Sequence, residues 1–289
     1  MINVSGFSLV RNGVLYSYPF MEAIRSILPL CDEFVVNVGD SDDDTLEVIR
    51  SIDDGRMRII RRRWDMSLRE GGRLLSVETN HALSECRGRW CFYVQADEVV
   101  HEAFHPRILS ALQRYQNDDR VEGLRFRYKH FYGSYDYVQD NYRKWYLREV
   151  RIVKNGRGIV SWGDAMGFKH TDGSPIRLRD IDAEVYHYGW VRPPSVLDRK
   201  RKDFHKLYHN DEEALRFAEQ MRAYDDLGNL VPFNGTHPAV MRERVEACDW
   251  SFDPRLDEQL PTWIRRIRMF LHPLTKRIKR VARLIEQVG

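Results

Sequence analysis

Apolar and polar positions in the first hundred residues alternate between two rhythms. Short runs rich in β-branched and aromatic side chains predict strands over Ile2–Val10, Glu33–Val38, Arg58–Arg62 and Trp90–Gln95. Between them, longer helical patterns occupy Leu15–Leu30, Thr45–Ser51 and Gly72–Ser84, the last with Leu74, Leu75, Val77, Ala82 and Leu83 as its apolar residues. Strand alternating with helix predicts βαβ units on a parallel sheet, a doubly wound, Rossmann-like α/β beginning.

The rhythm then changes. After a helix over Phe104–Tyr115, strand-like segments follow at Val121–Phe131, 144–154, Gly158–Lys169 and Ile176–His187, with aromatic and basic side chains running through them. This β-rich half is expected to lean on the first sheet and wall one side of a cleft. Ser195–Leu227 reads as charged and helical, Val231–Pro238 as a loop, and a last helix follows Pro261. The expected organisation is one unit over 1–194, divided into a ligand-binding half (1–105) and a second half (106–194), then a helical extension with a loop (195–260) and a basic amphipathic helix (261–289).

Composition narrows the class. A 43% hydrophobic and 31% charged chain is of the ordinary globular kind, and a net charge of +3 is too mild for a nucleic-acid binder unless the basic residues cluster. No apolar run is long enough to cross a bilayer. A cytoplasmic protein is expected, peripheral on the inner face of a membrane if residues 261–289 bind one. Cys31, Cys86, Cys91 and Cys248 have neither metal-ligand nor disulfide-framework spacing, which predicts reduced and mostly buried thiols.

In a doubly wound sheet, ligands bind beyond the carboxyl ends of the strands. Those ends carry Arg11-Asn12, then Gly39 through Thr45 with Asp40 and Asp43, then Trp64-Asp65, then Gln95-Ala96-Asp97-Glu98. All four loops are polar and three are acidic. A carboxylate such as Asp97, at the end of an apolar strand, suits a hard divalent cation that takes one or two carboxylates plus phosphate oxygens. A polar turn is the plainer reading of any one loop, but four complementary loops in order argue for a nucleotide site.

The opening VSGFSLVRN, the segment DEFVVNVGDSDDDTLEVI and the strand GRWCFYVQADEVV together resemble the inverting glycosyltransferases of family 2, which have the GT-A fold. The resemblance covers roughly the first 105 residues and is strongest at Ser41, Asp43, Thr45 and Asp97. It implies a nucleotide-sugar donor, a Mg²⁺ or Mn²⁺ cofactor, Asp97 as ligand to metal and diphosphate, Gln95 against the donor sugar or ribose, and Asp40, Asp43 and Asp65 around the nucleoside, with Arg11 and Asn12 ending the first strand beside them. Two departures stand out. Gln95 replaces the first aspartate of the family's Asp-x-Asp motif, and Asn37-Val38 replace the paired aspartates ahead of its Gly-Ser-Thr-Asp segment.

The second half offers partners for that site. His187, closing a predicted strand in Tyr186-His187-Tyr188-Gly189-Trp190-Val191-Arg192, is the expected second metal ligand, and Arg192 the expected counter-charge to a diphosphate. An inverting transfer needs a carboxylate base across the cleft from Asp97. Asp164, in a Gly-containing turn beside Trp162, is the candidate, and spacing does not separate it from Asp136, Glu149 or Asp182. Trp162, Tyr188 and Trp190 are expected to face an acceptor, since aromatic faces cover the apolar C–H surface of sugars.

Residues 261–289 hold eight Lys or Arg against one acid, interleaved with apolar positions. Such a helix packs on its own protein or lies on an anionic bilayer, which would suit a lipid-linked acceptor. The expected function is therefore sugar transfer from a nucleotide-sugar donor to a glycan or lipid-linked acceptor with inversion, and no nucleic acid is expected as a partner. The competing readings are an inactive carbohydrate-binding or scaffold protein, which Gln95 would suit, and a nucleotidyltransferase, for which the Gly-rich basic phosphate loop is missing.

Overall fold

The computed structural model describes residues 3–140, 145–206, 208 and 230–255. In chain order its elements are β1 (Val4–Val10), α1 (Phe20–Ile27), β2 (Glu33–Gly39), α2 (Thr45–Arg50), β3 (Met57–Arg62), α3 (Arg73–Ser84), β4 (Trp90–Tyr93), β5 (Glu98–Val100) and α4 (His105–Tyr115). They continue as β6 (Gly123–Tyr132), β7 (Tyr137–Gln139), β8 (Arg148–Lys154), β9 (Ile159–Trp162), β10 (Gly167–His170), β11 (Leu178–Trp190), α5 (Pro194–His205), β12 (Leu230–Pro232) and a short α6 (Arg242–Glu246).

Strands β3, β2, β1 and β4 lie side by side and parallel, as the βαβ rhythm predicts. Being central, β1 and β2 are buried on both faces, which is why they read as nearly continuous apolar runs. Beyond β4 the sheet turns mixed: β8 pairs antiparallel with β4 and with β6, and β6 pairs parallel with the long β11. The α/β class and the β-rich second half are thus as expected. Strand β12 pairs antiparallel with β7, so the stretch read as helix and loop adds an edge strand to this sheet.

Strand β6 shows how patterning sets its faces. Leu124 and Phe126 point into the core, whereas Arg125, Arg127 and Lys129 point out and pair with Asp180, Asp182 and Glu184 of β11. Exposed cross-strand pairs of this kind add only about 0.2–1 kcal/mol each, so the register depends chiefly on the apolar face.

Three boundaries differ from expectation for local reasons. The helix predicted from Leu15 begins at Phe20, because residues 12–18 fold into successive turns with Asn12 and Ser17 at positive φ. The single strand predicted over Gly158–Lys169 is the hairpin β9–β10, turned by Gly163 and Ala165 at φ of 62° and 63°. Strand β4 stops at Tyr93, because Gln95–Glu98 close into a turn in which Glu98 N–H donates to the Gln95 carbonyl.

That turn is tied down by an ion pair that is buried on both sides. Arg151 of β8 grips Glu98 with two charge-assisted hydrogen bonds, both 2.8 Å, and both side chains are buried. Tyr128 Oη donates to the same carboxylate at 2.7 Å and Gln95 N–H at 3.1 Å, while the guanidinium lies over the Tyr93 and Tyr128 rings. Removing one member of a buried pair strands the other's charge. Arg151→Met is therefore expected to cost about 3–5 kcal/mol of unfolding free energy in urea denaturation, and a loss below about 1 kcal/mol would refute the role given to the pair.

Candidate active site

The parallel order β4-β1-β2-β3 contains a switch point between β1 and β4, where one crossover leads away on each side. Open α/β sheets bind ligands in the crevice that such a point creates at the strand carboxyl ends. Here the crevice receives the loop after β1, with Tyr16 and Tyr18, and the Gln95–Glu98 turn after β4.

Asp97 is the buried carboxylate of this crevice. Its place follows from the register: β5 pairs antiparallel with β11 so that Glu98 stands opposite His187, and Tyr188 N–H donates to the Asp97 carbonyl at 2.8 Å. The two residues predicted as metal ligands are thereby brought together, with His187 Nε2 lying 3.8 Å from Asp97 Oδ2. On the same oxygen sits the ammonium of Lys200 from α5 at 3.5 Å, which also donates to the Gly189 carbonyl at 3.1 Å.

The charges at this point act on one another. Burial works to raise the Asp97 carboxyl, but Lys200, His187 and Arg192 together hold it below its ordinary value. Burial pushes His187 down to about 4 against the pull of Asp97. Burial and then Arg192 push Lys200 down to about 7. A pyrophosphate-like anion docking here would restore the ammonium and gain from both cations.

Arg192 is fully buried, with Nη1 donating to the Tyr16 carbonyl at 2.8 Å and the guanidinium 4.7 Å from the Tyr18 ring centre. It acts on Asp97 by its charge, and Lys200 is the cation in contact with that carboxylate. Sequence reasoning missed Lys200 because it lies in the run Arg199-Lys200-Arg201-Lys202, which reads as a solvated helix face. Its position just past the His187 segment was the only available signal.

At the ends of β1, β2 and β3, Arg11, Asp40 and Trp64 form one cluster. The Arg11 guanidinium stands 5.4 Å from the Trp64 ring centre and donates to the Asp40 carbonyl at 2.9 Å, and Trp64 N–H donates to the Asp40 carboxylate at 3.1 Å. Asp65 is exposed and accepts from Ser67 at the start of a short turn. Two expected nucleotide contacts are corrected here. The Asn12 amide is occupied in both directions by Asp42, at 3.3 Å and 2.8 Å, and Asp43 accepts from Leu15 N–H and from Thr45, so both residues splice the β1 loop to the start of α2.

The turn between β9 and β10 forms another wall. Gln95 Nε2 donates to the Ala165 carbonyl at 3.3 Å, and the Asn80 amide clamps Ser161 with two bonds of 2.7 Å and 3.0 Å, holding the turn on α3. Gly72, at φ of 74°, lets α3 start against this turn, since a Cβ there would lie 2.6 Å from that of Asp164. Asp164 Oδ2 accepts from Tyr208 at 2.8 Å, and its Oδ1 is buried without a hydrogen-bond donor among the described residues. Trp162 is 41% exposed at the rim.

Of the other carboxylates weighed as a base, Asp182 is held by Arg107 and Arg127 on the outer face of the sheet, and Asp136 accepts from Ser134 in the β6–β7 turn. Glu149 remains: burial raises its carboxyl above the ordinary range, Arg151 opposes this, and Glu98 adds to it. Tyr188 is corrected as an acceptor contact, being 1% exposed, stacked on Phe131 and hydrogen-bonded to His237 at 2.8 Å. Trp190 is half-buried and stacks on Tyr132.

The Asp97–His187 gap suits a divalent cation in one specific respect. A Cβ on Gly189 would lie 2.6 Å from His187 Nε2 and 2.8 Å from Asp97 Oδ2, so a hydrogen at that position keeps the gap clear. Among the described residues no three His, Cys, Asp or Glu side chains converge to hold an ion. A cation held here would have two protein ligands and would draw the remainder from phosphate oxygens and water, a pattern familiar for Mg²⁺. The four cysteines are free thiols, three of them buried, as expected. The predicted basic helix over 261–289 lies outside the described residues, and among those residues no helix is long and apolar enough to cross a membrane.

No protein-family model matches the chain. It is 26% identical over 160 residues to the lipopolysaccharide core biosynthesis glycosyltransferase LpsC of Rhizobium meliloti (strain 1021), a match that spans 54% of this chain and 52% of that protein. Among solved structures, S. aureus TarS 1–349 is 12% identical over 74% of this chain and 68% of its own, with a TM-score of 0.41. Glucosyl-3-phosphoglycerate synthase from Mycobacterium tuberculosis, solved with Mn²⁺, UDP and phosphoglyceric acid, is 21% identical over 45% of this chain and 43% of its own, with a TM-score of 0.30.

The site carries a pH signature. His130, which contacts His187, is pushed down to about 3, by burial and then by His187, and His187 itself to about 4, so both rings are neutral in the folded chain at pH 7. Below about pH 6.5 the unfolded chain takes up protons that the folded chain refuses, so this stability is complete above that pH and is lost as pH falls toward the folded values. Each ring contributes about 1.4 kcal/mol per pH unit. Urea denaturation at pH 5 is expected to give roughly 4 kcal/mol less stability than at pH 7, and equal stabilities would show that the rings are not held neutral.

Proposed function

We propose that this chain is a glycosyltransferase of the GT-A type that moves a sugar from a nucleotide-sugar donor to a glycan or lipid-linked acceptor with inversion. The observation that carries the reading is the convergence of Asp97, His187 and Lys200 at the carboxyl end of β4, beside the switch point of a parallel sheet. One carboxylate, one neutral imidazole and one ammonium in a buried crevice suit a diphosphate and its counter-cation. The partial match to LpsC points to the same class of reaction. The segment 261–289, by its basic and apolar pattern, would bring the protein to an anionic membrane surface on the cytoplasmic side.

In this reading Arg11, Trp64, Asp40 and Asp65 border the nucleoside. Gln95, whose amide reaches the Asp164 turn at the Ala165 carbonyl, would bond a sugar or ribose hydroxyl. Asp97 and His187 would hold a divalent cation, which neutralises charge on the diphosphate when bound. Lys200 supplies a second positive charge to the same group, with Arg192 reinforcing the field. Asp164 takes the proton of the acceptor hydroxyl as that oxygen bonds to the anomeric carbon and the bond to the diphosphate breaks. Trp162, with Trp190 as a half-buried neighbour of Tyr132, offers an apolar face to the acceptor.

Thermal denaturation with UDP, GDP, CDP or dTDP, each with and without Mn²⁺, is expected to show stabilisation by at least one nucleotide, because a ligand that binds only the folded state raises its stability. Stabilisation by none of them would sink the proposal. Asp97→Asn is expected to weaken nucleotide binding by about tenfold, or about 1.4 kcal/mol. Asp164→Asn should keep nucleotide affinity and lower the turnover of transfer by about 10²–10⁴-fold. Should Glu149→Gln show that loss and Asp164→Asn not, the base is Glu149.

A further inference from the structure

His130 has no part in the donor site as described, yet it is built into it. Strands β6 and β11 run parallel with His130 directly beside His187, and the two Nδ1 atoms are 3.1 Å apart. The other nitrogen of His130, Nε2, lies 2.7 Å from the Tyr146 carbonyl. The ring is buried and packed by Tyr128, Trp145 and Tyr146, at centroid distances of 5.6, 5.0 and 4.5 Å.

These contacts dictate where the protons sit. A carbonyl oxygen only accepts, so His130 carries its proton on Nε2. Its Nδ1 then has a lone pair, and the contact with His187 is a hydrogen bond only if His187 donates from Nδ1. The two contacts thus place one proton on His130 Nε2 and one on His187 Nδ1, the single proton that an imidazole able to ligate a cation can carry. His187 Nε2 is left bare, directed at the Asp97 carboxylate 3.8 Å away. Without His130, the favourable choice for His187 would be the opposite tautomer, with the Nε2 proton turned toward the Asp97 carboxylate. A lone pair set against a carboxylate is stabilised by positive charge: the Lys200 ammonium supplies some from 3.5 Å on the far side of the same oxygen, and Gly189 keeps the space between the imidazole and the carboxylate clear for more.

We propose that His130 is a positioning residue, which relays the Tyr146 carbonyl through its ring to fix His187 as the Nδ1–H tautomer and so keeps Nε2 available to a divalent cation shared with Asp97. The outer nitrogen of a metal-binding histidine ordinarily donates to a carboxylate, a carbonyl or water, and loss of that partner weakens metal affinity by about 10–100-fold. Here a second histidine takes that place. The inference rests on the donor-site reading above.

The test has two arms on the full chain. The tautomer is read by NMR of protein labelled with ¹⁵N-histidine: His187 is expected to carry its proton on Nδ1, and a proton on Nε2 overturns the proposal whatever the variants do. Mn²⁺ affinity is read by electron paramagnetic resonance at saturating UDP, or with the metal alone if UDP does not bind. His130→Leu, which can neither accept nor donate, is expected to bind Mn²⁺ about 10–100-fold more weakly. His130→Gln, whose amide oxygen accepts from His187 and whose amide nitrogen donates to Tyr146, should remain near the wild-type affinity. Equal losses in the two variants, no loss in His130→Leu, or no Mn²⁺ binding by the wild type would overturn it. Absence of UDP binding with Mn²⁺ binding intact would instead count against the donor-site reading alone.

Discussion

The buried Arg151–Glu98 pair is the constraint on which the site depends. It joins β8 to the turn after β4, and the same carboxylate takes a proton from Tyr128 and one from the Gln95 backbone. With Glu98 held on that side and paired in register to His187 on the other, Asp97 between Gln95 and Glu98 has little freedom. Such a pair is not an efficient source of stability, because the desolvation of two ions offsets much of their attraction. What it provides is position: a carboxylate turned inward on one residue so that the preceding residue's carboxylate faces the crevice.

A second layer of charge surrounds Asp97. Lys200 and Arg192 both lie 4.7 Å from the Tyr18 ring centre, and each acts on the carboxylate and on the other. Burial lowers the proton affinity of His187 and Lys200 and keeps His187 a neutral donor of a lone pair. Groups whose protonation is moved by burial and by specific neighbours, gathered at the carboxyl end of a sheet, are characteristic of functional sites.

Much of the first half was legible because its signals are local. Strand and helix rhythms predict the parallel pairing, and the polar strand ends single out Asp97, Gln95, Arg11 and Asp40 as candidates. Asn12 and Asp43 were misjudged for a physical reason: a polar side chain at a strand end serves a loop as readily as a ligand, and only the hydrogen-bond partners distinguish the two. Tyr188 was misjudged because alternation along β11 places it on the core side, against Phe131, a fact that depends on which neighbour covers that face. Lys200 was hidden in a run of four basic residues, of which tertiary packing draws this one inward.

By itself the sequence determined the α/β class, the strand ends where chemistry gathers, and the pairing of Asp97 with His187 as candidates. Those readings rest on periodicity and residue type, which are properties of short stretches of chain. Only the tertiary structure decided that Glu98 is the anchor and Asp97 the facing carboxylate, that Lys200 shares its oxygen, and that His130 stands behind His187. Each of these depends on the register between strands far apart in the chain, where a shift of one residue would reverse every side chain and dissolve the constellation.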